Sequence, residues 1–357
     1  MVIAPIVPGL GGQGAAAGDM AEGLRATGMQ VQYLSPPPVG LAHRLASRRP
    51  LRRFKALGRE LDRRAIGRLR LPDFDLAYAM PGYLPREGSD GVRVLHQATH
   101  HPRRVASAID AARAIAGGGR GFMSGREVRL LERELARADL ARVESPIVAE
   151  ELIKEGFPPD RVVTASPGVD VERFAPGARP DRLRVAFVGV LSLWKGVDVL
   201  VRLARKLAPA GEVVVVGGPV CPWSRRLVSE APLRQHPGDI PSLLASSHAL
   251  VLPSATDGFG LVVLEAMAAG AVPFVSPEVG AAAIVRRLDP RLVQPRSEFA
   301  EVVPELIHTL PLGELGAAAR RIAERHERAE MARTAASLLL ERINEFGRCR
   351  VSRYTGA

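Results

Sequence analysis

The sequence contains few cysteines and few aromatic residues. Its two cysteines, Cys221 and Cys349, lie far apart in 357 residues and form no CxxC motif, so we expect thiols in a reducing compartment. Aromatic side chains make up only 4% of the chain, which leaves little to stack on bases, and no helix-turn-helix, zinc-finger or RRM signature is present. The composition therefore argues against nucleic acid as the partner.

Long apolar runs are also missing from the sequence. No stretch approaches the ~18 consecutive apolar residues of a membrane-spanning helix. The first residues, MVIAPIVPGLGGQG, have no basic n-region and are interrupted by Pro5 and Pro8, which argues against a signal peptide. We therefore expect a cytoplasmic protein, in peripheral contact with the inner face of the membrane if its most basic segment binds lipid.

Positive charge is concentrated in one segment. The net charge is +11, and Arg44–Arg70 alone carries 11 Lys/Arg against 2 acids. This basic segment is explained first as a solvated arginine-rich face and second as a surface that contacts an anionic membrane, with nucleic acid the least favoured partner. It is amphipathic because apolar residues recur near helical spacing, at Leu51, Phe54, Leu57, Leu61 and Ile66.

The second half of the chain predicts a doubly wound domain. With 46% hydrophobic and 24% charged residues the chain is globular, and 357 residues exceed one ordinary domain. Strands that are apolar throughout alternate with helices, which is typical of a parallel sheet covered on both faces. The strands are predicted at 183–190, 212–218, 249–253 and 271–276, and the helices at 196–208, 239–247 and 261–269.

The first half shows the same alternation less regularly. Strands are predicted in MVIAPIVP, VQYL, FDLAYAM and VRVLHQ, a glycine-rich loop in GLGGQGAAAG, and helices in DMAEGLRATG, which ends at Gly28, and at Arg126–Ala138. The sequence thus predicts an α/β fold of two Rossmann-like doubly wound domains facing across a cleft. Pro and Gly cluster at 174–182, so the predicted domains are 1–177 and 178–335, with a helical segment 336–357 as a candidate to return to the first domain.

The stretch SATDGFGLVVLEAMAAG, Ser254–Gly270, combines acids and glycines around a helix start. The first turn of that helix has unpaired N–H groups and the positive end of the helix dipole, which favour a phosphate. Glu265 lies about one turn inside the helix and Asp257 on the loop before it, and carboxylates pair with the hydroxyls of a ribose or a sugar. A phosphate between two polyols describes a nucleotide sugar. Ordinary helix capping by Asp257 and a helix-dipole role for Glu265 are the plain alternative.

Lys195 is the third charged residue expected at this edge of the sheet. It follows the predicted strand 183–190, in LSLWKG. A lysine there can neutralise a diphosphate as a point charge, although a single lysine is more often an ordinary surface residue. Together, a lysine, two acids and a glycine-lined helix start on strand-end loops of one sheet indicate an anionic, hydroxyl-rich ligand.

Pro253–Pro273, PSATDGFGLVVLEAMAAGAVP, resembles the motif P-S-x-x-E-G-F-G-(x)-x-x-L-E-A-M-A-x-G-x-P of the family-4 retaining glycosyltransferases, which have the GT-B fold of two facing Rossmann domains. VGVLSLWKGVDVLVRLA is similar to the family's strand-and-lysine element, and PGLGGQGAAAGDMAEGL to its N-terminal glycine loop. Glu134–Pro176 is similar to the interdomain stretch that ends in G-V-D-x-x-x-F. The resemblance is strong from about Glu134 to Pro277 and weak elsewhere.

The resemblance implies transfer of a sugar, with retention, from a nucleotide-diphosphate donor bound by the second domain to a hydroxyl acceptor bound by the first. Glu265 would hold the donor ribose, Asp257 would face the transferred sugar, and Lys195 would stabilise the departing diphosphate. The family's patterns imply no metal, no other cofactor and no fixed protein nucleophile. The remaining donor-binding residues implied are Gly11, Gly12, Gly189, Gly258, Phe259, Gly260 and Leu261.

The resemblance also implies a histidine of the first domain over the sugar. LHQATHHP offers His96, His100 and His101, and we favour His101, before Pro102, with His96 second. A structural or surface role is the alternative for each of these histidines.

Two positions depart from the family pattern. Asp257 replaces the usual Glu and is one methylene shorter, and Val190 replaces an arginine that would contact phosphate through two hydrogen bonds. Two alternatives stay open: a non-hydrolysing nucleotide-sugar epimerase on the same architecture, for which no motif is evident, and, given these departures, a degenerate nucleotide-sugar-binding protein. The acceptor is expected to be lipid-linked if Arg44–Arg70 lies on a membrane, and otherwise a small polar molecule such as a natural-product core.

Overall fold

The structure is a computed structural model that describes residues 2–3, 11–34, 74–81, 83–85, 91–118 and 125–345. The basic segment Arg44–Arg70 and Cys349 lie outside the described residues. Within the described ranges, no helix is both long and apolar enough to cross a membrane.

Eleven strands and twelve α-helices are described in these ranges. The strands are β1 (Val2–Ile3), β2 (Tyr33–Leu34), β3 (Leu76–Ala79), β4 (Val92–Gln97), β5 (Leu140–Val143), β6 (Val162–Thr164), β7 (Leu183–Val188), β8 (Gly211–Val216), β9 (Leu233–Gln235), β10 (Ala249–Leu252) and β11 (Val272–Val275). The helices are α1 (Gly11–Ala26), α2 (Pro102–Ala116), α3 (Gly125–Leu135), α4 (Pro146–Lys154), α5 (Val197–Leu207), α6 (Pro222–Ser229), α7 (Ile240–Ala245), α8 (Val262–Ala268), α9 (Ala282–Leu288), α10 (Phe299–Thr309), α11 (Leu312–Glu324) and α12 (Arg328–Glu345).

The strands form two fully parallel sheets, one in each half of the chain. The first has the order β2-β1-β3-β4-β5-β6 and the second β11-β10-β7-β8-β9. Strands such as β3, β5, β10 and β11 are buried at every residue, as expected when helices cover both faces. The predicted fold class, two doubly wound α/β domains, is confirmed.

The order of the second sheet determines where its ligand can bind. β7 lies between β8, which follows it in the chain, and β10, which comes after the chain has returned from the opposite edge. This reversal is the topological switch point of a Rossmann sheet, and the crevice at the carboxyl ends of β7 and β10 is the expected binding position. The loops that follow these two strands carry Lys195 and Asp257.

The prediction of a glycine-rich loop near the N-terminus is wrong from Gly11 onward. Gly11 and Gly12 are the first residues of α1, which continues without interruption to Ala26. The alanines of this segment favour a helix, and one face of α1 is buried by tertiary packing, which outweighs the low helix propensity of glycine. At Gly23 that packing requires glycine, because a Cβ atom would overlap the Ala332 carbonyl of α12.

The C-terminal helix α12 packs on the first domain. It begins at Arg328, before the predicted boundary at 335, and its apolar residues Ala335, Ala336, Leu339 and Ile343 belong to the apolar core of the first sheet. Arg328 also forms an ion pair with Asp19 of α1 at 2.7 Å. The chain therefore returns to its first domain after completing the second.

The two domains touch through an apolar cluster on one side of the cleft. Val105, Ile109 and Ala112 of α2 pack against Leu193 and Ala255 of the second domain. Trp194 and Trp223 are packed, partly buried, against the same cluster. Helix α2 of the first domain thus rests on the turn that carries Lys195.

Candidate active site

Lys195 and Asp257 form an ion pair at the switch point of the second sheet. Lys195 ends a short 3-10 turn, Leu193–Lys195, after β7, and its Nζ donates to Asp257 Oδ2 in the loop after β10. Both side chains are largely buried but keep some exposure, 23% for Lys195 and 13% for Asp257. A compact positive charge at this position can compensate the charge of a diphosphate.

The backbone fixes the two loops against each other. The amide of Ala255 donates to the Trp194 carbonyl at 2.8 Å. Gly196 has φ +79°, and a Cβ atom there would overlap the carbonyl of Pro253. Glycine is therefore required after Lys195 both by the left-handed backbone and by the close approach of the neighbouring loop.

Arg296 connects the same two loops through side-chain hydrogen bonds. Its guanidinium donates twice to the carboxylate of Asp198 in the first turn of α5, at 3.0 and 2.8 Å, and once to the Pro253 carbonyl at 3.0 Å. Arg296 and Asp198 are both mostly buried, so these two bonds, both from Nη2, are well shielded from water. We call Arg296, Asp198 and Pro253 the arginine clamp.

The Asp257–Gly260 turn is held by the segment after β11. The amide of Asp257 donates to the Glu278 carbonyl at 3.2 Å, and Gly280 and Ala281 donate back to the carbonyls of Asp257 and Phe259, both at 2.9 Å. The Phe259 side chain is 2% exposed and packs in the core, so only its backbone can face a ligand. Gly260 has φ +84°, which a glycine adopts without strain.

Glu265 lies in the first turn of α8, which ends at Ala268 and is followed by Gly270 with φ +73°. Burial raises the pKa of its carboxyl group to about 7, against a weak opposing effect of Arg173. Hydroxyl donors next to Glu265 would stabilise the ionised form that burial disfavours. The carboxyl group therefore suits a diol, which donates hydrogen bonds without adding negative charge.

Gly189 and Val190 follow β7 on the same edge. A Cβ atom on Gly217, after β8, would overlap the Gly189 carbonyl, so these two strand ends approach each other closely. Val190, at the position of the family's arginine, is 42% exposed. The guanidinium of Arg296 does not replace it, because it is hydrogen-bonded within the arginine clamp.

His96 is part of a buried ionic network inside the first domain. Its Nε2 lies 2.6 Å from Arg142 Nη1 and 3.2 Å from Glu144 Oε1, and its ring tilts against Tyr78. Burial and the charge of Arg142 lower the pKa of His96, so the neutral ring accepts from the guanidinium. Burial opposes ionisation of Glu144, but the hydrogen bond and the charge of Arg142 hold its pKa below the ordinary value.

His101 caps helix α2. Its Nδ1 accepts from the amide of Arg103 at 3.4 Å, and burial lowers the pKa of the ring. His101 lines a cavity of about 410 Å³ in the first domain together with Glu132, Glu155 and Arg161. The role of His101 or His96 over a sugar stays a prediction.

His100 is the histidine of this segment that contacts the second domain. Its Nε2 lies 2.8 Å from the Glu278 carbonyl, and its Nδ1 lies 2.8 Å from Glu151 Oε2 of α4. The Glu278 carbonyl is the same acceptor that receives the amide of Asp257. His100 is thus connected to the acidic turn through one backbone oxygen.

The turn at Gly258 lies directly against the first domain. A Cβ atom on Gly258 would overlap the Ala98 carbonyl, and the Gly258 carbonyl accepts from Ser145 Oγ at 2.7 Å. Gly280 is equally restricted, since a Cβ atom there would overlap the Gly258 carbonyl. Two glycines therefore allow the loops of both domains to meet beside Asp257.

The structure brings the three charged residues predicted from the sequence to one edge of the second sheet. It places Gly258–Leu261 beside them and Gly11 and Gly12 at the start of α1, and the ligand contacts assigned to all these residues stay predictions. Sequence reasoning missed the arginine clamp, Ser145 and the interdomain contact of His100. Arg296 has no local motif, and the adjacent histidines at 100 and 101 cannot be ranked without knowing which side chain points toward the second domain.

Two models of known protein families together match residues 10–314. The family model described as Glycosyltransferase Family 4 matches residues 10–173, and the model described as Glycosyl transferases group 1 matches residues 169–314. A curated relative, the D-inositol 3-phosphate glycosyltransferase of Saccharomonospora viridis, is 31% identical over 181 residues, which is 42% of this chain and 42% of the relative. The alignment therefore spans less than half of the relative's length.

Solved structures share the fold over almost the full length. The sucrose-phosphate synthase from Thermosynechococcus elongatus aligns with a TM-score of 0.67 and 17% identity, covering 97% of this chain and 98% of that one. Anabaena Alr3699/HepE in complex with UDP-glucose aligns with a TM-score of 0.64 and 16% identity, covering 95% of this chain and 99% of that one. At these identities the likeness establishes the two-domain architecture.

Proposed function

Because the chain belongs to the family-4 glycosyltransferases of the GT-B fold, we propose that it is a retaining hexosyltransferase that moves a sugar from a nucleotide-diphosphate donor to a hydroxyl acceptor. One observation carries the proposal: Lys195 and Asp257 meet at the carboxyl ends of β7 and β10, with Glu265 in the helix that follows. This is the position at which an open α/β sheet binds its ligand.

In the proposed complex each of the three charged residues has a defined role. Glu265 accepts hydrogen bonds from the ribose diol, and Lys195 compensates the charge that develops on the diphosphate as the sugar leaves. Asp257 orients Lys195 and accepts a hydrogen bond from a hydroxyl of the transferred sugar. The backbone amides of the Gly258–Leu261 turn lie next to the sugar and the phosphates.

In the proposed reaction the bond between the sugar's anomeric carbon and the donor phosphate oxygen breaks, and a bond to the acceptor oxygen forms. The acceptor hydroxyl loses its proton to the departing diphosphate, so no protein nucleophile is needed. Positioning of the two substrates by the facing domains then supplies a large part of the rate enhancement. Neither a metal ion nor another cofactor takes part in the proposal.

The comparisons support particular first choices for donor and acceptor. A structural neighbour was solved with UDP-glucose, which makes UDP-sugars the first donors to test. The name of the curated relative, D-inositol 3-phosphate glycosyltransferase, supports a small polar polyol as the acceptor class. A lipid-linked acceptor stays an alternative if the segment Arg44–Arg70 binds anionic lipid.

Cosedimentation with anionic liposomes tests that alternative and the proposed cytoplasmic, peripheral location together. Binding at low salt that weakens as salt increases would support membrane contact, because such attraction is screened over a Debye length of about 8 Å at physiological ionic strength. No cosedimentation at low salt would remove the lipid-linked acceptor from consideration.

A donor panel tests the proposed function. We expect one of the UDP-, GDP-, ADP- or dTDP-sugars to raise the melting temperature, and the same donor to support transfer. Lys195→Ala should lower transfer by at least about a hundredfold, in line with the loss of a group that stabilises transition-state charge. Glu265→Ala should lower transfer by a similar factor, because the donor ribose loses its hydrogen-bond acceptor and with it the binding energy that positions the sugar. Unchanged turnover in both variants would exclude this site.

Two matched variants control for the loss of charge alone. Lys206→Ala removes an exposed lysine that pairs with Glu301, and Glu314→Ala removes an exposed acid in the first turn of α11. Both should transfer sugar like the unmodified protein. Turnover of donor without acceptor to an epimeric nucleotide sugar would favour the epimerase, and donor binding without turnover would favour the binding protein.

A further inference from the structure

Both ring nitrogens of His100 face hydrogen-bond acceptors. Nδ1 lies 2.8 Å from the carboxylate of Glu151, and Nε2 lies 2.8 Å from the backbone carbonyl of Glu278. A neutral imidazole has only one N–H, so in either tautomer a nitrogen lone pair would point at an oxygen lone pair. Only the imidazolium form donates to both acceptors.

These two acceptors belong to different domains. Glu151 lies on α4 of the first domain, whereas Glu278 follows β11 of the second, where its carbonyl also accepts the Asp257 amide at 3.2 Å. A neutral ring that keeps its proton on Nδ1, facing the stronger carboxylate acceptor, gives up the bond to the Glu278 carbonyl, and the Ser145–Gly258 hydrogen bond is then the one that remains beside Asp257. The ring is almost fully buried between them, so water cannot readily replace a lost partner.

The charges around the ring favour its protonated form. Burial alone lowers the pKa of His100, but the hydrogen bond and charge of Glu151, the Glu278 carbonyl and the charge of Asp257 outweigh it, so the net pKa is raised. On α2, Arg104 lies 3.5 Å from the other oxygen of Glu151. From the second domain, Lys195 pairs with Asp257, and the Glu278 side chain has one buried oxygen without a partner among the described residues.

We propose that His100 is a proton-dependent latch: as an imidazolium it holds the two domains closed beside Asp257, and as a neutral ring it releases them. The pKa is higher in the closed state than in an open state, where the ring is solvated with an ordinary value near 6.5. The latch is therefore complete below about pH 6.5, and it is lost as the pH rises through the raised pKa that His100 has in the closed state. His100 acts on the reaction by positioning the Asp257 turn, without contact to substrate.

Two tryptophans report on the state of the latch. The chain contains only Trp194 and Trp223, and both pack against the apolar cluster that α2 forms with the second domain. Opening of the domains would expose both indoles to water and shift their emission to longer wavelength. Intrinsic fluorescence of the full chain between pH 5.5 and 9 therefore measures closure without a substrate and without any assumption about activity.

We expect the emission to shift to the red with a midpoint above pH 6.5. His100→Gln should remove this transition, and Glu151→Gln should move the midpoint downward because the ring loses its anionic partner. His308→Gln, which changes an exposed histidine at the end of α10, should behave like the unmodified chain. Circular dichroism at both pH extremes confirms that each variant is folded. A transition with unchanged midpoint in either His100→Gln or Glu151→Gln would overturn the latch.

The kinetic consequence rests on the proposed function, and the fluorescence result does not. With an active donor–acceptor pair, His100→Gln should lower kcat/KM about tenfold at pH 6.5, as expected for one charged hydrogen bond, and have little effect at pH 9. An emission transition without detectable transfer would therefore reject the proposed function and retain the latch. An equal decrease in kcat/KM of His100→Gln at pH 6.5 and pH 9 would show that His100 has a purely structural role.

Discussion

At the scale of single residues, the site combines a compensated charge with an uncompensated one. Lys195 and Asp257 neutralise each other, so neither requires a ligand to be stable where it lies. Glu265 forms no ion pair within the part of the chain that the structure describes, and burial raises its pKa to about 7. A buried acid that is costly to ionise is a common mark of a binding or catalytic position.

Glu265→Gln should stabilise the nucleotide-free protein at pH 8. The pKa of Glu265 is about 7 in the folded state against an ordinary 4.5, so the folded state holds an extra proton and loses stability as the pH rises between these values. The glutamine removes this penalty, which amounts to at most about 3 kcal/mol in the free energy of unfolding. Denaturant unfolding at pH 4 and pH 8 measures the difference. A variant less stable than the unmodified protein at pH 8 would contradict the assignment.

The same substitution should weaken nucleotide binding. The ionised carboxylate is the better acceptor for a ribose diol, so the affinity for a nucleoside diphosphate should increase as the pH rises through about 7 in the unmodified protein. In Glu265→Gln the affinity should be lower and nearly independent of pH over this range. Calorimetric titration at pH 6 and pH 8 gives both quantities, and a pH-dependent affinity in the variant would assign the titration to another group.

At the scale of elements, the strand-end loops are fixed by backbone contacts and glycines. The turn after β10 lies between the Lys195 turn, the segment after β11 and the first domain, and close approaches at Gly196, Gly258 and Gly280 make this possible. Such contacts link residues far apart in the chain, so each loop has a defined position only when its neighbours are in place.

Gly258→Ala should prevent the domains from closing while leaving each domain folded. The added methyl group would overlap the Ala98 carbonyl, so the first domain must move away from the Asp257 turn. We expect at least a tenfold loss of transfer, a larger radius of gyration in small-angle X-ray scattering and a melting temperature within a few degrees. The control Gly313→Ala adds a methyl group that meets no atom within 4 Å, and should change none of these. Full activity of Gly258→Ala would exclude the closed arrangement as the active one.

The arginine clamp makes a second prediction for these elements. Arg296→Met leaves the mostly buried carboxylate of Asp198 and the Pro253 carbonyl without their donor, which should cost about 3 kcal/mol of stability and raise KM for the donor. Arg291→Met removes a comparable bidentate contact, to Asp289, from an exposed arginine and should have little effect. A variant that lost stability without any change in donor KM would limit Arg296 to a structural role.

At the scale of the whole molecule, the described chain builds two sheets and then returns to the first of them with helix α12. α12 follows the second domain in the chain and completes the core of the first, and the ion pair of its first residue, Arg328, with Asp19 joins it to α1. The domain contacts at His100, Gly258 and the apolar cluster under α2 then set the distance between the two domains.

Local sequence patterns predicted the sheets and the three charged residues, because strand ends in a doubly wound fold are informative about binding sites. The positions of Lys195, Asp257 and Glu265 follow from apolar strands and the loops behind them. Arg296 and Asp198 lie 98 residues apart and share no local motif, so their pairing depends on tertiary packing. The helical Gly11–Gly18 segment was predicted as a loop for the same reason, since packing against α12 outweighs its glycine content.

The most direct test of the account is transfer itself, followed by mass spectrometry of the acceptor and proton NMR of the new glycosidic bond. The donor that raises the melting temperature should add one sugar to a polyol acceptor, and the new bond should have the anomeric configuration of the donor. Glu265→Ala should form almost no product, whereas Glu314→Ala should form as much as the unmodified protein. Absence of product across the donor panel, an inverted linkage, or equal product from both variants would contradict a retaining glycosyltransferase site at Lys195, Asp257 and Glu265.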